Sequence, residues 1–134
     1  MSLTETEREI IVKREYEKAI TFMEQAEGNA TMGYWEVVAN RMYYAVFHAV
    51  SALLIKDGHK VNTHRGTVMA YGQHYVKTGI VTHDEGSLYS QLQSMREDAD
   101  YNCAFKSEPE KMKTLLPQAK TLISKIGNLL DISD

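Results

Sequence analysis

Cysteine is nearly absent from this chain: Cys103 is the one example, so no internal disulfide can staple the fold, and a reducing compartment is implied. Proline occurs only as Pro109 and Pro117, and glycine-rich or serine-rich linkers are missing, which leaves no sign of a boundary between domains. There is no internal repeat and no low-complexity tract. An export leader is also lacking, since the first seventeen residues carry eight charged side chains where an apolar run would be needed. These absences point to one cytoplasmic domain spanning residues 1–134.

Acidic residues are missing over a shorter stretch. Between Asp57 and Asp84 there are none, while Lys60, Arg65 and Lys77 stand there with His59, His64, His74 and His83. A net charge of −3 excludes wholesale coating of nucleic acid, yet this segment offers a local surface on which a phosphate could settle. Val37 to Ile55 lacks Lys, Asp and Glu and nearly reaches membrane-spanning length, but Asn40, Arg41, His48 and Ser51 would be costly in lipid. It reads instead as a central helix buried by protein, with no membrane involved.

Helix punctuation is abundant. Thr4 with Glu7, Thr82 with Glu85 and Ser107 with Glu110 each have capping-box spacing. Thr63 can cap a further helix. Gly28-Asn29, Gly58 and Gly79 are placed as stops, and Gly66 and Gly72 weaken the third helix enough to imply close packing or mobility there. Pro117 predicts a bend between Lys113 and Pro117. Valine and tyrosine recur at helical rather than alternating spacing, so the fold class is all-α, an up-and-down bundle of about five helices.

Two constellations could carry chemistry. Arg41, Tyr44, His48 and Ser51 fall on one stripe of an otherwise apolar helix, where each polar group needs a partner, either a register-fixing network or a ligand. Near the end of the fourth helix, Arg96, Asp100 and Tyr101 set a cation, a carboxylate and a phenol within about one turn. His64 and His74 lie on different sides of their helix, which argues against a metal site; no cofactor motif occurs.

Taken together, Arg41 to Ala49 (RMYYAVFHA) with Ala52 to Leu54, Thr63-His64-Arg65-Gly66, His74 to Gly79 (HYVKTG) and Met95 to Tyr101 (MREDADY) resemble the HEPN domain family over roughly Tyr16 to Leu130. The likeness is closest to its prokaryotic branch with YYAxFHA and RxxADY motifs. The resemblance implies a helical bundle paired as a homodimer, often encoded beside a minimal nucleotidyltransferase as toxin and antitoxin. In ribonuclease members an arginine is followed four to six residues later by a histidine, and the RNA 2′-hydroxyl attacks without a metal.

Here Arg96 takes the arginine position, but Tyr101, Asn102 and Cys103 stand where the histidine belongs. An ordinary tyrosine is a poor base at neutral pH. The expectation is therefore a nucleotide- or RNA-associated module whose ribonuclease activity is weak or absent. Arg96 and Tyr101 are its candidate catalytic residues; Arg41, His48, His64, Arg65, Arg96 and Asp100 are its candidate phosphate contacts. The rival reading is a catalytically silent helical dimer that binds a protein partner.

Overall fold

The computed structural model describes residues 3–101 and 108–132, with the side chains of residues 100 and 101 outside that description. Helix α1 spans Glu5–Thr31, α2 Trp35–Lys56, α3 His64–Tyr71, α4 His83–Tyr101 and α5 Pro109–Leu129. A single π turn, Gly72–Val76, extends α3. No strand occurs among the described residues.

Capping chemistry sets most of the starts. Thr4 and Glu7 bond each other's backbone N–H groups at the head of α1, and Thr82 and Glu85 do the same before α4. Thr63 accepts from the Gly66 N–H at the start of α3. Helix α5 is opened by Pro109, where a fixed φ and a missing N–H cost nothing, and Glu108 at the cap makes no side-chain bond; the expected box with Glu110 rests on Ser107. Ser107 and Cys103 lie outside the described residues. Helix α5 then runs through Pro117.

Gly28-Asn29 does not end α1. Asn29 donates back to the Gln25 carbonyl and Thr31 to that of Gly28, which carries the helix to Thr31, and the left-handed position falls on Gly33 at φ +77. Gly66 is a true close approach, because a β-carbon there would meet Thr63 Oγ1 at 2.8 Å and Val61 at 2.9 Å.

Helix α2 is the hub, packed against α1 most extensively and also against α3, α4 and α5. That accounts for its apolar length: Val38, Met42, Ala45, Val46, Ala49, Val50 and Ala52 are all fully buried. Small side chains at Ala19, Ala26, Ala45, Ala49 and Ala52 suit the tight α1–α2 pairing. Helix α5 packs on α2, α1 and α4 and buries Met112, Leu115, Ala119, Leu122, Ile123 and Ile126. The buried Tyr16 hydroxyl donates to the Ile123 carbonyl at 3.0 Å and ties α1 to α5.

Candidate functional site

The polar stripe of α2 meets its partners on the side facing α1, α3 and α4. His48 Nδ1 lies 2.6 Å from Glu15 Oε2, so a carboxylate on α1 orients the imidazole. The His48 ring stacks on Phe22, 5.4 Å between centroids and 8° from parallel. On the same ring the Arg41 guanidinium sits 5.5 Å from the centroid, while also donating to Asn40 Oδ1 at 2.7 Å. Arg41 is half-buried rather than sealed in the core.

His64, the first residue of α3, is drawn into the same cluster. Its ring stacks on Phe47 at 4.4 Å and meets Tyr44 edge-on at 5.9 Å, and its Nδ1 lies 2.6 Å from the Tyr43 hydroxyl. Burial, reinforced by the Arg96 charge and by His48, holds the His64 imidazole below its ordinary pKa, which favours its neutral form. From α4, Arg96 lies over both tyrosine rings, 5.4 Å from Tyr43 and 5.7 Å from Tyr44. Tyr43 is fully buried, and that burial pushes its phenol up to about 12 even with Arg96 pulling the other way.

His48 and His64 open onto a cleft of about 470 Å³ whose rim includes Arg8, Glu15, Phe47, His59, Lys60 and Thr63. Arg96 joins through the rings it shares with His64.

The structure thus brings Arg41, His48, His64 and Arg96 together, though they come from three helices. Arg65 stands at the margin, exposed, with its guanidinium 3.9 Å from Glu97. The side chains of Asp100 and Tyr101 lie outside the described residues. His59 and His74 stack on each other at 3.8 Å, and His59 also reaches the rim of the cleft shared by His48 and His64. Among the described residues no group of three or more His, Cys, Asp or Glu side chains could hold a metal.

Residues 12–129 match the HEPN domain family. The chain belongs to that family. A relative from Thermotoga maritima, named UPF0332 protein, is 34% identical over 69% of this chain and 70% of its own length. A UPF0332 protein of Archaeoglobus fulgidus is 28% identical over 85% of this chain and 90% of its own. A protein of Methanocaldococcus jannaschii bearing the name "Putative toxin" is 24% identical over 91% of this chain and 86% of its own.

Sequence reasoning missed Glu15, Tyr43, Phe47 and Gln93 as parts of this HEPN site. Gln93 carried the clearest signal, as an amide beside Leu92 and Met95 that had to find partners once buried.

Proposed function

We propose that this HEPN protein is a phosphate-recognition module acting on RNA or a nucleotide, paired with a minimal nucleotidyltransferase as toxin and antitoxin, with RNA cleavage at most slow. One observation carries the reading: two arginines and two histidines from α2, α3 and α4 converge on the rings of Phe22, Tyr43, Tyr44 and Phe47 beside an open cleft. Guanidinium groups bind phosphate through charge-assisted hydrogen bonds, and aromatic faces accept stacked bases. The toxin role draws support from the name of the Methanocaldococcus relative and from the family. The family likeness also supports a two-fold homodimer through α4, checked by light scattering at micromolar concentration.

Fluorescence anisotropy with a short single-stranded RNA tests the binding. Affinity at low salt should fall as salt rises, with a modest slope because few fixed cations take part. Arg96→Ala should weaken it roughly tenfold or more, the worth of about 1.5 to 3 kcal/mol for a charged hydrogen bond. An absence of binding at low salt would reject this reading and favour the protein-binding scaffold.

A further inference from the structure

We propose that His64, and not Tyr101, is the proton acceptor of this site, with its tautomer set by a hydrogen-bond relay from Glu97 at the surface through the buried Gln93 and Tyr43. The inference rests on the phosphate-binding reading above and names the residue through which the slow cleavage would run.

The relay follows from which atoms can donate. Gln93 Nε2 lies 3.3 Å from Glu97 Oε1; a carboxylate oxygen accepts, so the amide nitrogen must point that way. This turns Gln93 Oε1 toward Tyr43, whose hydroxyl lies 3.3 Å away and donates to it. With its proton committed there, the Tyr43 oxygen is left to accept from His64 Nδ1–H at 2.6 Å. A neutral imidazole carries one N–H. Placing it on Nδ1 leaves Nε2 with a bare lone pair, the form a general base needs.

The surroundings keep that arrangement in place. Tyr43 is fully buried and Gln93 is 8% exposed, so little water competes for the relay. The charged and titratable groups facing His64 are Arg96 from α4 and His48, Tyr43 and Tyr44 from α2; Glu97 is paired outward with Arg65. The Arg96 charge, and that of His48 whenever it is protonated, disfavour a proton on His64. The histidine missing after Arg96 in sequence is thereby supplied in space, since both residues pack on the rings of Tyr43 and Tyr44.

In the step so defined, His64 Nε2 takes the proton of a ribose 2′-hydroxyl as that oxygen bonds to phosphorus. The bond from phosphorus to the 5′-oxygen breaks, and the leaving oxygen takes a proton from the imidazolium form of His48. The products are a 2′,3′-cyclic phosphate and a 5′-hydroxyl. One histidine has gained a proton and the other has lost one, and exchange with water resets them. Arg96 offsets charge building on the phosphoryl oxygens. Tyr43, Gln93 and Glu97 act through His64 and are positioning residues.

Long-range proton–nitrogen NMR of the whole 15N-labelled protein reads the tautomer directly, without activity. At neutral pH, His64 should show a protonated Nδ1 and an unprotonated Nε2, and Tyr43→Phe should shift the balance toward Nε2–H; an Nε2–H tautomer in the unmodified protein overturns the proposal. Cleavage of a short RNA in chelator, read at saturating RNA so that any loss of affinity is set aside, should yield the cyclic phosphate and fall about 100-fold in His64→Ala, the scale of one general base. Tyr43→Phe should displace the pH profile, which loss of packing alone would not do. RNA that binds but is not cleaved, or cleavage that survives His64→Ala, refutes the role of His64 and leaves phosphate binding standing. Failure of the unmodified protein to bind RNA refutes both.

Discussion

Helix α2 lies between two unlike walls. Helix α5 presents it with Met112, Leu115, Leu122, Ile123 and Ile126, side chains that fill space and ask nothing of their neighbours. The wall built by α3, the π turn and α4 buries Tyr71, Tyr75 and Tyr89, with Thr67 and Gln93 as buried polar residues. Their rings form a file, with Tyr43 6.2 Å from Tyr89, Tyr89 5.4 Å from Tyr71 and Tyr71 6.2 Å from Tyr75. A wall of hydrocarbon contributes only stability. A wall of phenols and amides must also place its hydrogen bonds, and in doing so it aims the polar groups at its edge. The candidate site grows from that edge.

Changes on the two walls should therefore fail differently. The largest loss belongs to the aliphatic wall: Leu122→Ala should cost about 2 to 5 kcal/mol in chemical denaturation, through lost burial and the cavity left behind. RNA affinity per folded molecule should not change. On the aromatic wall, removing a polar atom should help. The Tyr89 hydroxyl is buried with no hydrogen-bond partner among the described residues, so Tyr89→Phe should raise stability by about 1 kcal/mol. A loss of stability would reveal a partner for that hydroxyl.

The smallest effect is a pH dependence. His64 in the folded protein lies below its ordinary value of 6.5, so the unfolded chain takes up the proton more readily. Folding bears no cost from this group above about pH 6.5 and is progressively destabilised as pH falls below it. His64→Gln should flatten that part of the profile. Glu85 acts in a separate window: burial raises its pKa, but Lys125 and Thr82 outweigh that and lower it, so its contribution is present above about 4.5 and lost in acid. Denaturation midpoints between pH 7.5 and pH 5, measured for the protein and for His64→Gln, should isolate the histidine.

Much of the scaffold was legible because its signals are local. Thr4 with Glu7, Thr63, and Thr82 with Glu85 mark helix starts through bonds reaching three residues along the chain. The end of α1 was misplaced because Asn29 and Thr31 satisfy their hydrogen bonds within the helix, which no stop signal at Gly28 reveals. The site was legible only in its members. Arg41, His48, His64 and Arg96 stand out as polar residues on apolar helices, but their grouping depends on helix packing, as does the pairing of His48 with Glu15, 33 residues away. The substitution of a histidine near in space for one missing in sequence is likewise a property of the fold.

The central claim is that the aromatic wall's edge, and not the aliphatic wall, meets phosphate. NMR titration of the labelled protein with a short single-stranded RNA at low salt tests it most directly. The account predicts shifts that saturate at His48, His64 and Arg96 and spare Leu122 and Ile126 on α5. Shifts centred on α5, or none at the histidines, would contradict it.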